Sequence, residues 1–94
     1  MRLRLYSSIG KEVPNLVSVQ AEDLDFLPTV LVCPIKQGIP ETIVRTHFVW
    51  RGIAYTALCE LVRPIRRQAL RSVGTLDEMA SQAIRQKVLR ILGH

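Results

Sequence analysis

The side chains best suited to chemistry in this chain are cations. Arg45 and Arg51, then Arg63, Arg66, Arg67 and Arg71, fall within one stretch, and Lys36 lies just upstream. Arginine pairs bidentately with phosphate, so side chains of this kind can line a groove for an RNA backbone. A solvated strand edge carrying the same arginines is the competing reading. Pro64, between Arg63 and Arg66, favours extended or turn geometry there and argues against a basic recognition helix.

Acid–base and metal chemistry find less support. His47 and His94 are the only histidines. A catalytic triad or a zinc site would need both to converge with a nucleophile or thiols, and no spacing brings them together. Glu22, Asp23 and Asp25 read as solvated connection residues, since paired catalytic carboxylates would want an imidazole or a metal ligand beside them. Cys33 and Cys59 lie in apolar, strand-like runs without CxxC spacing. They are expected as two reduced, buried thiols in the cytoplasm, with a disulfide or metal pair as the alternative. No cofactor and no metal is expected.

Most of the elements that must position these residues alternate with period two. Met1-Arg2-Leu3-Arg4-Leu5-Tyr6 places Leu3 and Leu5 on one face and Arg2, Arg4 and Tyr6 on the other, a half-buried strand. Leu16-Val17-Ser18-Val19-Gln20 is a second strand, followed by a turn or short helical connection ahead of Pro28. Thr29-Val30-Leu31-Val32-Cys33-Pro34-Ile35 is the most hydrophobic run and reads as a strand buried on both faces that ends at Pro34. Two long β-rich runs, 42–50 and 53–60, form a hairpin across Arg51-Gly52. Residues 66–73 suit a helical turn or an edge strand equally.

The last stretch is helical. Thr75 and Glu78 have the spacing of a capping box, and Leu76, Ala80, Ala83, Ile84, the Lys87 stem, Val88 and Ile91 form one apolar stripe. Gly93 stands where a left-handed cap would end it. Packing of this stripe outweighs the cap, so the helix requires an apolar surface to cover. Its place after the strands gives the fold class: α+β, mainly β, a small SH3-like antiparallel barrel or sheet of five or more strands with a capped C-terminal helix.

With 94 residues the chain suffices for one core, and one domain over 1–94 is expected. An apolar fraction of 48% is ample for that core and makes a homodimer plausible. No uninterrupted apolar run approaches the roughly 20 residues of a membrane span. A net charge of +5 favours an acidic partner, nucleic acid or protein.

The order of elements and several motifs resemble the CcdB and MazF superfamily of bacterial toxin–antitoxin systems. Leu5-Tyr6, the run from Pro14-Asn15-Leu16 to Ala21-Glu22, Leu27-Pro28-Thr29 and Val32-Cys33-Pro34-Ile35 look most like the CcdB branch. Leu61-Val62-Arg63-Pro64-Ile65 and Val73-Gly74-Thr75-Leu76 read equally well as the MazF pattern before the last helix. The resemblance implies an SH3-like barrel, a homodimer, and neutralisation by a cognate antitoxin whose disordered acidic segment wraps the dimer. In the CcdB branch the helix end, closing on Trp-Gly-Ile, poisons DNA gyrase by inserting into the gyrase A dimer. The matching turn here is Ile91, Leu92, Gly93 and His94, which lacks the aromatic anchor. In the MazF branch, an endoribonuclease, an arginine precedes the proline of the second strand and a threonine follows the Pro-hydrophobic pair of the third. This chain has Val13 and Lys36 there.

Two functions follow as expectations. The leading one is a CcdB-like, non-enzymatic toxin that binds DNA gyrase or another cytoplasmic protein through Ile91, Leu92, Gly93 and His94. The alternative is a MazF-like, metal-independent, sequence-specific endoribonuclease in which Lys36, Arg45 and Arg63 stabilise phosphate charge. A structural dimer without toxicity is the third.

Overall fold

A computed structural model describes residues 2–8, 10, 11 and 13–93. Seven strands and one α-helix follow in order: β1 Arg4–Ser8, β2 Leu16–Ser18, β3 Thr29–Lys36, β4 Arg45–Trp50, β5 Ile53–Leu58, β6 Arg63–Arg66, β7 Leu70–Thr75 and α1 Glu78–Ile91. Short 3-10 turns occupy Glu22–Leu24, Cys59–Leu61 and Arg67–Ala69. All pairings are antiparallel, in the order β4-β5-β3-β2-β1-β7, with β6 on β3 beside β5. The expected mainly-β fold, a curled antiparallel sheet with a capped terminal helix, is what forms. The segment 66–73, open between helix and strand, contains the end of β6, a 3-10 turn and the start of β7.

β3 is the strand around which the others are arranged. Its odd residues bond to the β2 side, as the Ile35 N–H to Asn15 carbonyl and Val19 N–H to Leu31 carbonyl bonds show. Its even residues therefore face β6 over Thr29–Val32 and β5 at Ile35–Lys36. Pro34, the residue without an N–H, faces the gap where the turn Cys59–Leu61 separates β5 from β6. No ladder bond is lost there, so the strand continues through Pro34 to Lys36 instead of ending at it.

Strand alternation sorts the apolar residues into two clusters. Leu3, Leu5, Val17, Cys33, Ile35, Phe48, Tyr55, Ala57 and Cys59 pack with Leu76, Ile84 and Val88 under the helix. Tyr6, Leu16, Val30 and Val32, with Ile65 and Leu70, meet on the opposite face, inside the curl made when β6 and β7 return along β3 and β1. Tyr6, expected on the solvent face, is only 5% exposed for this reason. A one-sided sheet would leave it in water; the returning strands cover it.

The curl is fastened by Trp50. This residue ends edge strand β4, and its indole N–H donates to the carbonyl of Thr75 on the opposite edge strand, β7, at 3.2 Å. Gly74 makes the approach possible, because a Cβ there would stand 2.6 Å from Trp50 Cζ2. A bulge leaving Val73 unpaired between Leu5↔Gly74 and Tyr6↔Ser72 bends β7 at this place. The hairpin between β4 and β5 turns on Arg51 and Gly52, both with positive φ (51° and 76°), the requirement of a two-residue type I′ turn.

The helix cap lies two residues beyond the sequence expectation. Thr75 is paired with Arg4, and the Leu76 N–H bonds to the Leu3 carbonyl at 2.8 Å, so the chain is still extended there. Asp77 is the N-cap, its Oδ1 accepting from the Ala80 amide at 2.8 Å. Ile84 and Val88 are buried as the stripe requires, and Gly93 takes the left-handed conformation, φ 85°. Ser81, a polar residue on the inner face, is also fully buried: its Oγ accepts the Leu3 N–H at 2.9 Å and docks the helix on the start of β1.

Candidate phosphate-binding groove

On the inner face of β3 the series Val30, Val32, Pro34, Lys36 passes from buried to exposed, because β6 covers the first half of the strand and leaves the second open. A groove of about 400 Å³ opens there. Pro14, Leu16, Pro34 and Tyr55 form its apolar floor, and Lys11, Lys36 and Arg63 supply charge at its walls. Among the described lining residues there is no carboxylate, and none of these three cations has a side-chain partner among the described residues.

The wall formed by the β1–β2 connection is fixed by its own polar residues. Asn15 Oδ1 accepts the Ser8 amide at 2.9 Å while its Nδ2 donates to Ser8 Oγ at 3.0 Å. Ser7 Oγ donates to the Val13 carbonyl at 2.8 Å, and Arg71 Nη2 donates to the Lys11 carbonyl at 3.0 Å. Lys11 thus belongs to the groove through loop docking, which no spacing in the sequence foreshadows. Gln37 and Tyr55, also on the lining, carry no local signal that would single them out either.

Of the three residues in the ribonuclease reading, the structure brings Lys36 and Arg63 together and places Arg45 elsewhere. Arg45 Nε donates to Glu60 Oε1 at 2.6 Å, and its Nη2 lies 2.5 Å from the same oxygen. Burial pushes the Glu60 carboxyl up, but the hydrogen bond and charge of Arg45, with a backbone hydrogen bond, outweigh this and hold it below the usual range. Arg45 is therefore a structural cation. Arg51 stacks over Trp50 with its guanidinium carbon 4.4 Å from the ring centroid, and Arg67 donates to the Leu27 carbonyl at 3.0 Å and sits 3.9 Å from Asp25. A shallow depression between Pro28, Thr29, Arg66, Arg67 and Gln68 consequently offers, among the described residues, one uncommitted guanidinium, Arg66, against three uncommitted cations in the groove.

The other sequence candidates are dispersed. His47 Nε2 is 2.9 Å from the Ile39 carbonyl, and its backbone amide donates to Glu41 at 3.2 Å, so the imidazole braces the connection before β4. His94 lies outside the described residues. No group of three or more metal-ligating side chains occurs among the described residues. Asp25 is engaged by Arg4 at 3.1 Å as well as by Arg67, so it ties the connection before β3 to β1 and to the turn after β6. In the helix end, Ile91 packs on the core, Gly93 is in the terminal turn, and Leu92, 60% exposed, is the side chain presented outward.

Lys36, Val13 and Pro14 lie on one groove: the two positions that carry arginine and threonine in the MazF pattern are neighbours in space. The fold as a whole is similar to those of solved structures. The Mycobacterium tuberculosis toxin MazF-mt6 superposes with a TM-score of 0.74 at 13% identity, over 98% of this chain and 96% of that one. A second solved structure, of an Mtb toxin, gives 0.72 at 16% identity over 97% and 99%. The fold is MazF-like. No protein-family model matches the sequence, and no curated protein matches it. The MazF-like fold extends over nearly the whole chain, so the curled sheet and the helix are both parts of that architecture.

Proposed function

We propose that this chain is the toxin of a toxin–antitoxin pair and that its target is RNA, bound and cut in the groove of Lys11, Lys36 and Arg63. The observation that supports this over the gyrase reading is the convergence of Lys36 and Val13, the two positions of the MazF pattern, with two further cations on one groove whose described lining holds no carboxylate. The MazF-like fold weighs the same way. The helix end offers the gyrase reading one exposed aliphatic side chain, Leu92, where aromatic anchors usually carry such interfaces.

In RNA cleavage by internal transesterification the 2′-hydroxyl gives its proton to water and attacks the adjacent phosphorus, closing a 2′,3′-cyclic phosphate as the bond to the 5′-oxygen breaks. Negative charge then grows on the non-bridging oxygens, and the 5′-oxygen leaves with a proton. Lys36 and Arg63 are the groups for that developing charge, and the Lys36 ammonium can also protonate the leaving oxygen. Lys11 holds a flanking phosphate. Val13 leaves the family's arginine position without a donor, so Arg63, across the groove on β6, takes over charge stabilisation. Tyr55, on the floor and stacked on Phe48 with centroids 5.5 Å apart, gives the groove an aromatic base.

A cognate antitoxin and a homodimer belong to the same proposal. The apolar groove of about 390 Å³ between Val19, Leu31 and Val62 on one side and Val88, Leu89 and Leu92 on the other is the surface for the antitoxin's apolar residues. The net charge of +5 suits an acidic one. The deciding experiment incubates the purified chain with a long RNA and maps the new ends, in parallel with a gyrase supercoiling assay. Discrete cuts that disappear in Lys36→Ala, with supercoiling untouched, are expected. Intact RNA at excess protein would overturn the proposal, and blocked supercoiling would reinstate the gyrase reading.

A further inference from the structure

The two cysteines are neighbours where the turn after β5 meets β3. β3 and β5 pair at Lys36↔Thr56 and Ile35↔Ala57, β5 ends at Leu58, and Cys59 opens the 3-10 turn that follows beside Cys33. A disulfide requires Cα atoms roughly 4.4–6.8 Å apart, a spacing that neighbours in such contact can reach. Cys33 Sγ lies 3.9 Å from the Cys59 carbonyl and Cys59 Sγ 3.7 Å from that of Ala57. Both thiols are free and fully buried.

We propose that Cys33 and Cys59 are a modification site: a buried dithiol that a small hydroperoxide converts to an intramolecular disulfide, pinning the turn Cys59–Leu61 to the core strand β3. Access is through that turn, a single unit of 3-10 helix without a side-chain cap whose next residues, Glu60 and Leu61, are half-buried and exposed. The two sulfurs differ in role. The neighbouring Cys33 thiol lowers the Cys59 thiol, against the effects of burial and of the Glu60 carboxylate, and the Lys87 ammonium adds to the lowering; the same neighbour, burial and Glu60 raise Cys33. The Cys59 thiolate attacks one peroxide oxygen, giving a sulfenic acid and releasing the other oxygen as hydroxide or alkoxide. The Cys33 sulfur then attacks the sulfenic sulfur, the S–S bond forms, and the sulfenic oxygen leaves with the Cys33 proton as water. Both thiols are oxidised and one peroxide is reduced.

The disulfide would close the chain around the β4–β5 hairpin and immobilise Glu60, the partner of Arg45. It acts on the fold's frame and leaves the groove cations unlinked, so it stands or falls independently of RNA cleavage.

The folded wild-type chain is treated with hydrogen peroxide, quenched, unfolded, alkylated and weighed. Loss of 2 Da with no alkyl group added is expected, with one cross-linked peptide pair joining Cys33 to Cys59. A rise in Tm of roughly 10 °C or more, reversed by a thiol reductant, accompanies it. In Cys33→Ala a sulfenic-acid probe should label Cys59, whereas in Cys59→Ala Cys33 should stay unlabelled under the same dose. Two alkylated cysteines after peroxide, a covalent dimer, or additions of 32 or 48 Da on the Cys33 or Cys59 peptide in place of the 2 Da loss would overturn the proposal; 16 Da steps on the methionine peptides are methionine sulfoxide. The wild-type mass is read from a protein known to be folded, so a variant that fails to fold does not obscure the answer.

Discussion

Two sets of cations in this molecule have the same chemistry and opposite occupations. Arg4, Arg45, Arg67 and Arg71 each point at a protein acceptor: Asp25, Glu60, the Leu27 carbonyl with Asp25, and the Lys11 carbonyl. Lys11, Lys36 and Arg63 surround a groove and have no side-chain partner among the described residues. A guanidinium already desolvated by a protein acceptor is unavailable to a ligand, because breaking that pair leaves a carboxylate or carbonyl unsatisfied. Sequence counts both sets alike, as +1 each. Position in the fold separates them: the acceptors of the first set lie in the connections between strands, and the second set lies where β3 emerges from under β6.

The largest test of this division is Lys36→Ala. It should cut RNA cleavage by ~100-fold, about 2.7 kcal/mol of transition-state stabilisation, with Tm unchanged. Arg63→Ala should behave alike to a smaller degree. A Lys36→Ala protein that cleaves normally but melts earlier would reverse the assignment of the two sets.

The held set should respond in stability instead. Arg67→Ala removes the donor to Leu27 and should cost about 1–2 kcal/mol in denaturant unfolding, whereas Arg66→Ala, one residue away and uncommitted, should stay within about 0.5 kcal/mol. Equal losses for the neighbours would erase the distinction. Arg45 adds a pH signature. Arg45 holds the Glu60 carboxyl below its ordinary range, so its share of stability is fully present above that range and disappears as pH falls through the depressed value. Wild type should therefore lose stability on acidification more steeply than Glu60→Gln. Parallel acid limbs in the two proteins would mean that the pair contributes nothing.

The same contrast explains what the sequence revealed. Period-two alternation located the strands, and Arg51-Gly52 marked its hairpin, because those signals are local. The fate of each arginine was not local. Arg45 and Glu60 are distant in sequence but lie at the ends of paired strands, and Arg71 reaches a loop whose course depends on Ser7, Ser8 and Asn15. Tyr6 and Pro34 depart from the local pattern for a related reason: burial and strand continuity there depend on β6 and β7, which return from far along the chain. The helix cap failed more narrowly. Thr75 and Asp77 both suit an N-cap, and pairing of Thr75 with Arg4 decided between them. Asp77→Ala should lose about 1 kcal/mol of stability by chemical denaturation, and Thr75→Ala clearly less; the reverse order would restore the capping box.

Arg71 joins the two sets and provides the smallest effect. It is a held cation whose acceptor is the backbone of an uncommitted one, since its Nη2 donates to the Lys11 carbonyl at 3.0 Å. Removing that single exposed hydrogen bond costs about 0.5–1.5 kcal/mol, divided between loosening the loop and mispositioning the Lys11 ammonium. Arg71→Ala should therefore raise KM for RNA by about 2- to 10-fold with kcat nearly constant, because the proposed function puts Lys11 on a flanking phosphate and not on the reacting one. Arg71→Lys, which keeps the charge but loses the planar guanidinium fork, should recover only part of this. Full recovery by lysine would show that Arg71 contributes as a free charge at the groove and not through Lys11. A fall in kcat as large as that of Lys36→Ala would instead move the reacting phosphate toward Lys11 and the β1–β2 connection.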